Sequence, residues 1–592
     1  MNNNTSELHR PLFCGYAFSI NSLAPFGSFG RIREIGSEWK IRILLCLAFA
    51  LTPVRAQTVY VSPDHWVYDY LDRLETRGIL PVVLAGTRPI TRAEIGRCLS
   101  EASQREDDLS RVERDQLRYL CYEFMENVEP SCPAAGDPRL TGLRRCSWID
   151  PWLPDLVYAN GRDFLSVSSG ALRAHLDPVF LRARSWAESD TLEGRERVFE
   201  DGNGLRIWGQ FGRRLGFYTE VRDTREWGSR DYPGLSNFTR EGLGFVRGTG
   251  DGLYHDETIA YVTGDWDVLR LQFGRDENQW GPGRHGQLAL SDRPTGYDLL
   301  KLELGSVRFK YTAMVAFLRH YSDEYYSGGE ARKSLAAHRL EFAPVPELDI
   351  GLHEIVIYSG RDIEPAYLNP VMFYRSAEHY LGDRDNAALG LDLEFKGIPR
   401  TKLYGELFID DLSTKKLGRG FYGNKLAYLA GLYHVNVGGI SELDARIEFA
   451  RVRPFTYTHK QERNGYRHFA TGLGHWIGPN ADNLFAELAY RRSRRLLFKL
   501  QGERIRHGAN PPDLNIGGDL FQPRDFRTDP ETVRLLDGDL ETVTSLGARI
   551  SYEVLRGAVI ELNVTKFWYY LERQPALKGG RMQVALRLSL NY

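Results

Sequence analysis

The sequence predicts an all-β transmembrane barrel of the bacterial outer-membrane type, with about 18 antiparallel strands preceded by a small periplasmic helical region. Three observations predict it. The last strand alternates Val584, Leu586, Leu588, Leu590 and Tyr592 against Gln583, Arg587, Ser589 and Asn591, and ends on an aromatic residue. The same period of two runs from about residue 170 to the end, in segments of about ten residues, the length a tilted strand needs to cross a bilayer. The connections between segments alternate strictly between short and long, as they do in outer-membrane barrels.

Composition excludes the main rivals. Of 592 residues 12% are aromatic and 58 are glycine, and the formal net charge is -2 with both signs interspersed, so nothing resembles a basic footprint for nucleic acid. Beyond the N-terminus no run approaches the roughly 20 apolar residues of a membrane helix.

The chain divides into three stretches. Residues 1–56 read as a leader and secretory signal: Lys40 and Arg42 precede an apolar run from Ile43 to Leu51, and Val54-Arg55-Ala56 is a small-residue cleavage site. Cys46 follows Leu45, which is not the small residue a lipidated cysteine requires. The 39 residues ahead of the signal read as the product of an upstream start codon.

Residues 57–150 read as a periplasmic helical segment. Val67, Tyr70, Leu71 and Leu74 share one face of a helix that stops at Gly78. Thr91 and Glu94 form a capping box ahead of Ile95, Cys98, Leu99 and Ala102, and a third helix runs through Val112, Leu117, Leu120, Cys121 and Phe124. The order HWVYDYLDRLETRGIL then ITRAEIGRCL resembles a single S-layer-homology repeat, a module that binds cell-wall polymers in other proteins. A plug or periplasmic cap is the expected role, and contact with peptidoglycan is the alternative. Cys98, Cys121, Cys132 and Cys146 all lie here, and none follows. Export to an oxidising compartment favours a disulfide, with Cys132 to Cys146 the preferred pair.

Residues 151–592 read as the barrel. Val307, Phe309 and Tyr311 alternate with Arg308, Lys310 and Thr312, and Leu389, Leu391, Leu393 and Phe395 alternate with Gly390, Asp392, Glu394 and Lys396. Short turns are expected near Arg213, Gly264, Gly305, Pro344, Gly397, Gly438, Ser493 and Leu555. Long loops are expected at 185–202, 224–256, 276–296, 319–335, 359–385, 411–424, 454–483, 508–540 and 570–581. An even strand count returns both termini to the periplasm, and closure follows because lipid offers no hydrogen-bond partner to a free strand edge. The polar face then lines the lumen with charges of both signs, among them Glu220, Lys310, Glu394, Glu406, Arg446 and Glu448, for which mutual ion pairing is the expected account.

Three long loops stand out as rich in Gly, Pro and aromatic residues: Gly274 to Asp292, Ala366 to Asp392 and Tyr457 to Asp482. In these loops the chain resembles the Wzi family of capsule assembly proteins. The resemblance rests on Trp280-Gly281-Pro282-Gly283 after Phe273-Gly274-Arg275, on Asn369-Pro370 followed by Asp385-Asn386, on Tyr457-Thr458-His459, and on Gly474-His475 leading into Gly478-Pro479-Asn480-Ala481-Asp482. It implies an eighteen-stranded barrel, usually monomeric, with helices on the periplasmic side and a lectin-like role at the outer face.

Sugar rings stack their C–H faces on aromatics and need paired donors and acceptors for their hydroxyls. The candidate polysaccharide contacts are therefore Trp280, Arg284 and His285 from one loop, Tyr380, Asp385 and Asn386 from the second, and His475, Trp476, Asn480 and Asp482 from the third. The competing reading makes the same residues turn formers that fold the loops over the mouth. No phosphate-binding loop, nucleophile elbow or paired-His zinc motif occurs, so no catalytic residue, metal or cofactor is expected. The expected partners are outer-membrane lipid, the barrel-assembly machinery and surface polysaccharide. A porin or solute channel is the main rival function.

Overall fold

The computed structural model describes residues 59–136, 157–190, 195–229, 246–249, 252–320, 332–572 and 579–591. Both Tyr592 and Cys146 lie outside them. The period of two becomes a closed meander of eighteen antiparallel strands. These are β1 Leu172–Ser189, β2 Arg195–Phe211, β3 Leu215–Gly228, β4 Gly252–Trp266, β5 Leu269–Asp276 and β6 Tyr297–Ser306. They continue as β7 Phe309–Leu318, β8 Lys333–Val345, β9 Leu348–Ser359, β10 Asn386–Ile398, β11 Thr401–Asp411 and β12 Lys425–His434. The last six are β13 Leu443–Val452, β14 Ala481–Ser493, β15 Leu496–Ala509, β16 Asp539–Leu555, β17 Ala558–Leu571 and β18 Gly579–Leu590.

Each strand pairs with the next, and β18 closes on β1 from Leu590↔Phe180 to Arg581↔Ser189, so the cylinder has no free edge. Two shorter strands, Leu165–Ser169 and Val246–Thr249, pair antiparallel with the first residues of β1 and β4. The outward face carries large exposed apolar side chains around the whole circumference, including Phe273, Leu300, Leu407, Ile447, Leu500 and Leu586. The inward face carries the charges. That inversion of a soluble protein is what a barrel wall facing lipid requires.

The loop prediction fails at one place. Residues 185–202 are not a long loop, because β1 runs to Ser189 and β2 begins at Arg195. Gly202, Asn203 and Gly204 lie inside β2. A Cβ on Gly204 would stand 2.5 Å from the Val221 carbonyl oxygen, so the glycine serves close strand approach rather than a turn.

Among the described residues three α-helices precede the barrel: α1 Val67–Thr76, α2 Arg92–Ser103 and α3 Arg111–Glu123. The Thr91/Glu94 capping box starts α2 as expected, and a second box, Ser110/Glu113, starts α3. Their apolar faces meet through Leu71, Leu74, Ile95, Leu99, Leu117 and Leu120. Cys121 at the end of α3 is bonded to Cys132, with Cα atoms 6.1 Å apart, which corrects the expected Cys132–Cys146 pair. The segment after α3 folds back over the helix and brings Cys132 to it. Cys98 is a buried free thiol.

The helices fill the end of the barrel closed by short turns. Lys402 stands 2.8 Å from Asp72, 2.7 Å from Glu75 and 2.6 Å from Glu394, while Lys396 reaches Glu75 at 2.7 Å and Asp349 at 2.6 Å. Arg446 bonds Asp72 at 2.8 Å, and Arg73 pairs with Glu113, Glu442 and Asp444. Burial pushes the α1 carboxyls up, but Arg284, Lys402 and Arg446 hold Asp72 well below the usual carboxylate range, and Lys402 and Lys396 hold Glu75 below it. The expected pairing is therefore found at Glu220, Lys310, Glu394 and Arg446, both within the wall and between wall and helices.

Because these folded-state pKa values are depressed, their contribution is full above the ordinary carboxylate value of about 4 and is lost as pH falls through the folded values. Residues 59–136 should resist protease at pH 7 and become cleavable in strong acid while the strands persist by circular dichroism. Lys402→Met leaves three carboxylates facing one fewer cation and should loosen the helices by about 3–5 kcal/mol, read as the same cleavage already at pH 7.

Candidate functional site

The loop after β5 does not stay at the rim. Residues 277–296 turn into the lumen, where Gln279–Trp280 pairs with Thr87–Arg88 of the helical segment and Gly281 N–H donates to the Gly86 carbonyl at 2.9 Å. Two wall carboxylates receive this loop. Glu406 accepts the N–H groups of Leu288 and Ala289, each at 3.0 Å, and Glu448 accepts those of Arg284 and His285 at 2.9 and 3.0 Å. Gly281, at φ 123°, lies so close to Glu406 that a Cβ would meet its carboxylate at 2.6 Å.

This placement corrects the picture of Trp280 as a surface contact. Its side chain is 0% exposed and packs in the luminal core with Phe408, Leu429 and Tyr457. Arg284 points to Asp72 at 3.1 Å. His285 stacks on Phe485 with ring centroids 3.9 Å apart and places Nε2 2.6 Å from Glu503.

The third loop meets the first here. Trp476 Nε1 donates to the His285 carbonyl at 2.8 Å, and the buried His475 ring fills the space left by Gly286, where a Cβ would meet Nε2 at 2.5 Å. Burial, with His285 and Arg293 nearby, pulls His475 down to about 3, so its imidazole is neutral. Asn480 ties three backbone groups, donating to the Gly508 and Asp537 carbonyls and accepting from Leu536 N–H at 2.7 Å. Asp482 is held between Arg506 at 2.6 Å and Arg451 at 3.3 Å.

The second loop, between β9 and β10, carries two short helices, α4 Pro365–Leu368 and α5 Tyr374–Tyr380. Asp385 receives both terminal nitrogens of Arg361, at 2.8 and 2.5 Å, and the Tyr367 hydroxyl at 2.8 Å. Asn386 Nδ2 donates to the Asn464 carbonyl at 2.9 Å. Tyr380 lies apart from the other nine residues at the end of α5. The first and third loops thus pack together inside the lumen, and the second meets the third through Asn386 and Asn464.

An open groove of about 220 Å³ remains at the long-loop rim, and Asp385 and Asn386 line it. Thr458 and His459 of the third-loop motif line it too, whereas Tyr422, Arg524 and Phe526 were not singled out in the sequence. The Arg524 guanidinium lies 3.8 Å from the Tyr422 ring centroid and 5.0 Å from that of Phe526. Those two rings meet edge to face at 6.3 Å, and Tyr422 leans on Phe455 at 6.0 Å. Arg375 from α5, Asp383 and Lys460 also line the groove. Burial and the neighbouring Lys425 pull His459 down to about 4, leaving a neutral ring. Aromatic faces beside guanidinium, carboxylate and imidazole groups are what sugar recognition needs. The available signal was the Phe421-Tyr422 pair and the Arg524/Phe526 spacing, in loops whose convergence no local pattern announces.

Among the described residues, two clusters have the spacing of a cation site. Glu75, Asp349 and Glu394 are already neutralised by Lys396 and Lys402, and Glu378, His379 and Asp383 sit at the end of α5 beside Arg375.

Residues 251–518 match the family model described as capsule assembly protein Wzi. Among solved structures the chain is similar to Wzi of Escherichia coli, described as an outer membrane protein involved in group 1 capsule assembly and a carbohydrate-binding β-barrel. That similarity has 15% identity and a TM-score of 0.52, and covers 91% of this chain and 100% of that one. Two further similar structures are OccAB1 of Acinetobacter baumannii (8% identity, TM-score 0.42) and OprD of Pseudomonas aeruginosa (10%, 0.40). Each covers 70% of this chain, and 96% and 92% of its own. No curated protein sequence matches the chain. The resemblance drawn from the loop motifs is borne out, and the matched range holds all of them.

Trp280→Ala should lower the stability of the detergent-solubilised barrel by roughly 3–5 kcal/mol, seen as a lower melting temperature with protease entry at residues 277–296. A surface contact residue would leave the melting curve unchanged.

Proposed function

We propose that the chain is an outer-membrane barrel, reached through a cleaved signal peptide, that binds or organises surface polysaccharide without catalysis. The observation that carries this reading is the rim groove, where Tyr422 and Phe526 offer ring faces beside Arg524, Asp385 and Asn386. The match to a capsule assembly family supports it, as does the similarity of the fold to a barrel that binds carbohydrate. The helical segment then faces the periplasm and the long loops face the outside.

In this reading Asp385 and Asn386, each 4% exposed, brace the wall of the groove. Trp280, Arg284, His285, His475, Trp476, Asn480 and Asp482 position the loops that carry the groove. A porin would need an open path, whereas the helices and the 277–296 loop meet inside this lumen and pair backbone to backbone.

Tyr422→Ala and Arg524→Ala should each weaken binding of purified protein to isolated surface polysaccharide by about ten- to a hundredfold, the equivalent of about 1.4–2.8 kcal/mol, with normal assembly and melting. Intact cells carrying either variant should also shed more polysaccharide. Unchanged affinity in both variants would remove the groove from the proposal, and large stable single-channel currents through the wild-type barrel would favour the porin.

A further inference from the structure

The β9–β10 loop lies on the opposite side of the wall from the luminal core. On β7 to β10 the alternate residues Met314, Leu335, Ile355 and Ala388 pack inward with Trp280. Their neighbours Val315, Ala336, Val356, Tyr358 and Ala387 point outward, on the face that carries the exposed Phe309, Phe317, Leu352 and Leu391. Tyr367, Tyr374 and Ala377 of the loop cover these outward residues. The loop is therefore a flap folded down over the outside of the barrel.

The wall beneath the flap is unfit to face lipid. His338 and Glu354 both project outward, with Nε2 and Oε2 2.9 Å apart. A charged group on the lipid face is destabilising, most at mid-bilayer and less near the interface. The flap satisfies Glu354 and covers His338. Glu354 accepts the N–H groups of Tyr374 and Arg375 at 2.8 and 2.7 Å, Tyr374 stacks on His338 with centroids 4.3 Å apart, and the Tyr311 hydroxyl donates to the Pro370 carbonyl.

Having covered a polar wall, the flap turns apolar side chains outward itself. Val371 is 86% exposed, Phe373 56% and Tyr380 90%, with Leu368 beside them. This surface continues the lipid-facing belt of the strands it overlies, and an aromatic ring such as Tyr380 suits the headgroup level.

We infer that residues 361–382 are seated in the outer leaflet of the membrane, with Leu368, Val371, Phe373 and Tyr380 contacting lipid in place of the wall they cover. The inference needs the transmembrane barrel and is independent of the polysaccharide reading. It reassigns Tyr380 from glycan to lipid.

The test uses nitroxide labels at Val371→Cys and, as a control on the groove side, at Lys460→Cys, each in full-length protein reconstituted into phosphatidylcholine–phosphatidylglycerol vesicles. At 371 molecular oxygen should relax the label more than a water-soluble nickel chelate does, and at 460 the order should reverse. If the 371 label meets the nickel chelate as freely as the 460 label, the flap stands in water and the inference falls. Shielding of 371 from both reagents, with a cross-linked dimer or a co-purifying protein, would assign the surface to a protein partner and overturn it equally. A second label at Phe373→Cys guards against local distortion and must give the same ordering.

Discussion

The interior of this barrel hangs on the seating of Asp72 and Glu75 among Lys396, Lys402 and Arg446. Lone charges of either sign would be expensive in that lumen, and together they lock α1 to the turns of the wall. From there a continuous stack rises: Thr87–Arg88 pairs with Gln279–Trp280, Glu406 and Glu448 receive the next residues, and His285 carries Trp476. The rim is thus built from inside the barrel upward, so the loops that frame the groove inherit their position from a contact near the opposite end.

The strands were legible because their period is set by the bilayer: one face must be apolar whatever the neighbours are. The capping box at Thr91 was equally legible, being complete within four residues. The fate of the Trp280 loop was not, since Gly and Pro mark a turn but do not say on which side of the rim it falls. That was decided by carboxylates more than a hundred residues away. Glu406 and Glu448 were readable as luminal charges, yet their use as acceptors for loop N–H groups depends on strand register. The same limit hid the groove, whose Tyr422, Asp385 and Arg524 come from three loops that meet only after closure.

His338 and Glu354 show a different kind of illegibility. In an alternating strand an outward polar residue looks like an error in the pattern, or like the end of the membrane zone. Here each is consistent with its strand once a second layer of chain is laid outside the wall. Departures from a lipid-facing pattern can therefore mark where a loop returns, a signal as local as the pattern itself.

The groove has its two sides anchored on opposite faces of a single sheet. Tyr422, Phe526 and His459 belong to loops braced by the luminal stack, whereas Arg375 belongs to α5, clamped to the exterior by Glu354. In mechanical terms it is a vice with one jaw bolted to the plug and the other to the outer skin, and its gap is set by the thickness of the wall between them. The spacing of the jaws is therefore held by contacts made on both faces of the sheet rather than by the loops alone.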